Sequence, residues 1–108
     1  LIEYLYWEGC PSHERAQPLL RALMQELAIP EEELVVLEMK TDADAQLHRF
    51  IGSPTIRVDG VDVQDPGETA YGLECRIYHH RDGRISPLPD REGLKEALTG
   101  YADQRERS

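Results

Sequence analysis

Leu1-Ile2-Glu3-Tyr4-Leu5-Tyr6-Trp7-Glu8-Gly9-Cys10-Pro11-Ser12-His13 opens the chain with a run of strand formers, a turn and the start of a helix. In an extended strand Ile2, Tyr4 and Tyr6 share one face and Glu3 and Leu5 the other, so both faces carry apolar groups, as a central strand requires. Gly9 permits a sharp turn, and Pro11 suits the first helical position because the N–H it lacks would be unpaired there anyway. Cys10 is therefore delivered to a helix start, where unpaired backbone N–H groups and the positive end of the helix dipole favour a thiolate over a thiol.

Downstream, Ala16, Leu19, Leu20, Leu23, Met24 and Leu27 recur at helical spacing, while Glu14, Arg15, Gln17, Arg21, Gln25 and Glu26 fill the other face. The spacing predicts an amphipathic helix ended by Pro30, with Pro18 inside it removing one backbone hydrogen bond and kinking it. Glu31-Glu32-Glu33 reads as a solvated loop or turn. Leu34-Val35-Val36-Leu37-Glu38-Met39 is a nearly continuous apolar run, predicting a parallel strand buried on both faces and a right-handed βαβ unit.

Thr41-Asp42-Ala43-Asp44 reads as the cap of a second, shorter helix running to about Phe50, with Gly52 as its stop. Ile56-Arg57-Val58, Asp59-Gly60 and Val61-Asp62-Val63 then read as strand, tight turn and antiparallel return. Gln64 to Gly72 is a nine-residue loop of the kind that often carries function. Leu73 to His80 reads as a further strand, with Asp82-Gly83 as its turn and Arg84-Ile85-Ser86 as a short partner closing the sheet. Asp90 caps a last helix with Leu94, Ala97 and Leu98 inward, and 103–108 is expected to be a frayed tail behind a single domain of residues 1–102.

At 108 residues the chain supports one hydrophobic core. Its 21 acidic against 12 basic residues leave a formal charge of −9, which argues against nucleic acid and anionic membranes as partners. No apolar run approaches the roughly 18 to 20 residues of a membrane span. Two cysteines are too few for a disulfide-stapled secreted scaffold, so the expected compartment is cytoplasmic.

The order β-α-β-α-β-β-(β)-α resembles the thioredoxin fold, an α/β architecture with a central mixed sheet of four to five strands and helices on both faces. Three local features carry the likeness: Cys10 at the strand-to-helix junction, Pro18 eight residues later, and Ser53-Pro54-Thr55, which looks like the family's cis-proline motif facing the nucleophile. The resemblance spans roughly residues 2 to 100. The departures are specific: the usual Cys-x-x-Cys is here Cys10-Pro11-Ser12-His13, Gly9 replaces the tryptophan before the cysteine with Trp7 three places earlier, and Tyr4 stands where many members bury an aspartate. Dithiol chemistry through positions 10 and 13 is thereby excluded.

The resemblance implies Cys10 as nucleophile, with Trp7, Pro11, Ser53, Pro54, Thr55 and Arg76 around a bound thiol. His13 is then an imidazolium favouring the Cys10 thiolate; the alternative is that Cys10 is a small buried residue and His13 a surface residue of the first turn. If Ile56–Val58 starts at the Pro54 end beside Cys10, its hairpin partner returns there and brings Cys75 within reach. Cys75 is then either a resolving thiol or shared ligand, or a core-facing strand residue. Arg76 either binds an anionic group such as a glutathione carboxylate or lies on the surface.

Cys10, His13, Cys75, His79 and His80 match no standard zinc spacing, so no metal site is expected. Two functions remain. One is thiol–disulfide or related redox exchange with a thiol- or disulfide-containing protein or small molecule, with no resident cofactor and glutathione or another thiol as co-substrate. The other is a non-catalytic binding module: a protein adaptor or a carrier of a soft metal.

Overall fold

A computed structural model describes residues 1–64 and 70–107 of the chain, the side chains of 106 and 107 excepted. Strand β1 (Ile2–Tyr6) lies inside a mixed sheet, because its apolar residues need cover on both faces. On one side it pairs in parallel with β2 (Leu34–Glu38), and on the other antiparallel with β3 (Thr55–Val58), which continues to β4 (Val61–Asp62). The order is β2-β1-β3-β4, with Tyr4 opposite Val36 on one flank and Ile56 on the other.

Ile2, Tyr4 and Ile56 are fully buried on one face of this sheet, against Ala16, Leu20 and Leu23 of α1 (His13–Glu26) and Leu94 and Leu98 of α3 (Arg91–Arg107). Leu5 points the opposite way, into a smaller cluster with Met39, Phe50 and Ala45 of α2 (Asp42–His48). The result is an α/β domain with a four-stranded mixed sheet and helices on both faces. No helix among the described residues is long and apolar enough to cross a membrane.

Helix ends follow local chemistry. Thr41 and Asp44 form a reciprocal capping box at α2, with Thr41 Oγ1 accepting from the Asp44 N–H at 3.1 Å. That helix stops at His48, short of the expected Phe50, because Arg49 turns left-handed (φ 54) and the Phe50 N–H donates back to Ala45 O at 2.8 Å. Gly52 is not its stop. Pro18 lies within α1 without ending it, and α1 starts at His13 rather than at Pro11. Asp59 and Gly60 both take positive φ, 50 and 83, as a two-residue hairpin turn needs.

Three further expectations are corrected. The run Leu34–Met39 is not buried on both faces: β2 is an edge strand, and Val35 and Val36, which point to opposite faces, are 37% and 38% exposed. An apolar run cannot reveal whether helices extend over it or stop short. Leu73–His80 is not one strand, and it does not add to the main sheet. Only Tyr78–His79 forms a strand, β5, paired with β6 (Ile85–Ser86) in a separate two-stranded ribbon, while Cys75 makes an isolated bridge to Ser53. Glu31–Glu33 takes the turn of its two readings, a single 3-10 turn that enters β2. Helix α3 continues past Asp103 to Arg107 instead of fraying, with Arg105 Nε 2.6 Å from Glu33 Oε1. Residues 65–69 of the expected functional loop lie outside the described residues.

Candidate functional site

Cys10 is positioned by its own stretch of chain. After β1, the Cys10 N–H donates to Trp7 O at 3.0 Å and closes the turn. A Cβ on Gly9 would fall 2.4 Å from the Trp7 ring, so only glycine fits beneath the indole. Tyr4 Oη donates to His13 O at 3.0 Å and ties the start of α1 to the sheet. Burial pushes the Tyr4 phenol far above its ordinary range, which keeps it a donor. Cys10 ends 2% exposed.

Ser12 occupies the N-cap position of α1 but makes no cap hydrogen bond, its φ and ψ of −61 and −22 being already helical. Its hydroxyl lies 3.1 Å from Cys10 Sγ instead. Because that sulfur is bonded to Cys75 and carries no proton, Ser12 is the donor.

Cys75 is positioned by contacts remote in sequence. The Ser53 N–H donates to Glu74 O at 2.7 Å and the Arg76 N–H to Ser53 O at 2.9 Å, a parallel bridge that lays residue 75 beside residue 53. Gly52 makes the approach feasible: its φ is +147, and a Cβ there would sit 2.9 Å from Arg76 Cβ. Arg76 then anchors the segment, with Nη1 and Nη2 on the two oxygens of Asp62 at 2.8 and 2.9 Å and Nη2 on Gln64 O at 2.7 Å. Its guanidinium lies 4.3 Å from the centre of the Tyr78 ring, a cation–π contact. Tyr78 Oη donates to Pro54 O at 2.6 Å, and burial raises that phenol well above its usual range.

These two sets of contacts bring Cys10 and Cys75 together across 65 residues, with Cα atoms 5.5 Å apart and a disulfide between them. The separation falls inside the range that a disulfide accepts. The Ser53–Pro54 peptide is cis, and Ser53 O lies 3.7 Å from Cys10 Sγ. The two residues differ in access: Cys10 is buried, whereas Cys75 is exposed and flanked by exposed Glu74. Cys75 is therefore not the core-facing strand residue that was one of its two sequence readings.

The other expected site residues are distributed as follows. Ser53, Pro54 and Thr55 are buried, and their polar atoms face inward: Ser53 Oγ accepts from the Trp7 N–H at 3.0 Å and Thr55 Oγ1 donates to Gly52 O at 2.6 Å. They shape the floor of the site. Arg76 is 6% exposed and committed to Asp62, so it is neither a surface arginine nor an open anion receptor. Trp7 is half-buried against the smaller cluster, and Pro11 is exposed next to Cys10. The His13 imidazole stacks on Tyr6 at 4.7 Å between centroids, with Nε2 3.7 Å from Glu8 Oε2. His80 belongs to a separate corner, where Nε2 meets Leu88 O at 2.8 Å. Among the described residues, no three His, Cys, Asp or Glu side chains are grouped to hold a metal ion.

Sequence reasoning passed over Ser12, Gly52, Asp62 and Tyr78. Only Ser12 had a local signal, a hydroxyl at an N-cap position two residues after a cysteine. The others act across strands. Chemically, the site offers a sulfur pair with one buried and one exposed member, and a hydroxyl donor on the buried one. Comparison with protein-family models, curated proteins and solved structures finds no match to this chain.

Proposed function

We propose that this chain is a thioredoxin-like thiol protein whose Cys10–Cys75 pair exchanges with the thiols or disulfides of a protein or small-molecule partner. The observation that carries the reading is the pairing itself: a buried cysteine at the start of α1 is joined to an exposed cysteine bridged to Ser53. Supporting it are the element order around β1, and Ser53 O, on the residue before the cis Pro54 bond, 3.7 Å from Cys10 Sγ.

The exchange balances without a resident cofactor. Two partner thiols give up two electrons and two protons to the disulfide, leaving Cys10 and Cys75 as thiols and the partner as a disulfide; the reverse reaction reduces a partner disulfide. A small thiol such as glutathione serves as the co-substrate that resets the pair. Tight hydrogen-bonding of residues 74–76 to Ser53 keeps the second sulfur close after reduction, so re-closure is intramolecular and fast.

Equilibrating the protein in graded thiol and disulfide buffers, followed by alkylation and mass measurement, tests this. The expected result is reversible two-electron titration of one pair, and reduction of a disulfide-containing test protein that is lost when both cysteines are replaced by serine. No reduction of the test protein by the wild type, or retention of that activity and of the cellular partner by the double-serine variant, would replace the redox reading by that of an adaptor.

A further inference from the structure

We infer that Cys75, not Cys10, is the sulfur through which the partner is joined and released, with Cys10 acting as the buried leaving and resolving thiolate. The inference rests on the exchange reading above and reverses the polarity that the position of Cys10 suggests.

Access is the first argument. An attacking thiolate must approach an S–S bond along its axis, from behind the sulfur it attacks. Cys10 is 2% exposed, with the Ser12 hydroxyl at 3.1 Å and the Ser53 carbonyl at 3.7 Å from its sulfur. Cys75 is exposed, as are its neighbours Glu74 and Tyr71. An external sulfur meets Cys75 first.

The leaving group is the second argument. When a partner thiolate attacks Cys75 Sγ, a bond forms between the partner sulfur and Cys75. The Cys10–Cys75 bond breaks, and its electron pair stays on Cys10 as a thiolate. That charge forms where the Ser12 hydroxyl already donates and at the positive end of α1, both of which stabilise it. The Ser53 carbonyl oxygen is the opposing group, and at 3.7 Å it is the more distant of the two. Attack on Cys10 would instead expel a thiolate at Cys75, one bond beyond the sulfur that the Ser12 hydroxyl contacts and preceded in the chain by exposed, acidic Glu74.

In the reducing direction the same polarity holds. The Cys75 thiolate attacks a partner disulfide and releases one partner thiolate. Cys10 then attacks Cys75 Sγ, reforms the internal disulfide and releases the second partner thiolate; both take up protons from water. Ser12 is a positioning residue in this scheme, which explains a helix N-cap serine that caps no backbone N–H.

The direct test needs no variant. Oxidised protein is exposed to substoichiometric 2-mercaptoethanol, quenched with acid, alkylated and mapped by peptide mass spectrometry. The adduct is expected on Cys75, with the alkylating group on Cys10. In C10S treated with hydroxyethyl disulfide, the adduct on Cys75 should form and persist, while C75S should form its adduct on Cys10 at least about tenfold more slowly. Circular dichroism of both variants establishes that they are folded. S12A should slow reduction of the wild-type disulfide several-fold with the adduct still on Cys75.

An adduct on Cys10, or equal rates for C10S and C75S, overturns the inference while the exchange reading stands. Failure of the oxidised protein to exchange with any thiol faster than a small unstrained disulfide would overturn the exchange reading, and this inference with it.

Discussion

The loop carrying Cys10 and the segment carrying Cys75 reach the same point in space by different means. Cys10 is held by neighbours within a few residues: the turn from Trp7 O, the glycine beneath the indole, and the Tyr4 hydroxyl on the first helical carbonyl. Cys75 is held by residues 10 to 25 positions away, through the Ser53 bridge, the Arg76–Asp62 pair and the Tyr78–Pro54 hydrogen bond. Local contacts form whenever the strand and helix form, whereas remote ones depend on the whole sheet. The Cys75 side should accordingly be the more fragile half of the pair, and the one whose loss separates the sulfurs.

The sharpest way to break this asymmetry is Asp62→Ala, which leaves the Arg76 guanidinium buried without its carboxylate. Denaturant unfolding should show a loss of about 3–5 kcal/mol, and reduced protein should re-form its disulfide markedly more slowly. A loss below about 1 kcal/mol would mean that Arg76 does not hold the segment. Next in size is the disulfide itself. Reduction should lower stability by about 2–4 kcal/mol, because it releases a cross-link between positions 65 apart. Thermal melts with and without a strong reductant measure it.

Gly52→Ala should cost about 1–3 kcal/mol, since φ of +147 strains any side chain and the new methyl would press on Arg76 Cβ at 2.9 Å. The counterpart on the other side, Gly9→Ala, presses on the half-buried Trp7 indole, a side chain that can shift where backbone cannot. It should disturb Trp7 fluorescence more than it disturbs disulfide re-closure.

The smallest effect sharpens the comparison through pH. Tyr4 and Tyr78, one on each side of the site, have phenols raised by burial above the ordinary value of 10.0. In the unfolded chain both ionise near that value, while in the folded protein both stay protonated. Their contribution to stability is therefore complete below about pH 10 and is lost as pH rises above it towards the folded values. Tyr78→Phe should cost about 1 kcal/mol at neutral pH for the Pro54 hydrogen bond and flatten the alkaline decline by one proton. An unchanged slope in denaturation midpoints between pH 9 and 11 would refute the assignment.

Much of the scaffold was legible because it is written in short-range pattern. Alternation of Ile2, Tyr4 and Tyr6 against Leu5 sorted the two faces of β1, the helical rhythm from Ala16 to Leu27 marked α1, Asp59-Gly60 marked the hairpin, and Thr41-Asp42-Ala43-Asp44 marked the start of α2. Each depends on neighbours within one or two turns or on strand periodicity. The misreadings occurred where a longer-range partner decides: β2 proved to be an edge, and the stretch 73–80 left the main sheet because Arg76 turns inward to Asp62 and Tyr78 to Pro54.

For the site, the sequence alone determined that Cys10 stands at a strand-to-helix junction with no second cysteine three residues on, and that Cys75 is the only other sulfur of its kind. Tertiary structure decided that the two meet, that Cys10 is the enclosed one, and that Arg76 is an anchor rather than a receptor. The division has one physical cause. Backbone geometry at Cys10 is set by the residues that adjoin it, while burial, access and ion pairing at Cys75 are set by Gly52, Ser53 and Asp62, which only the folded sheet brings alongside.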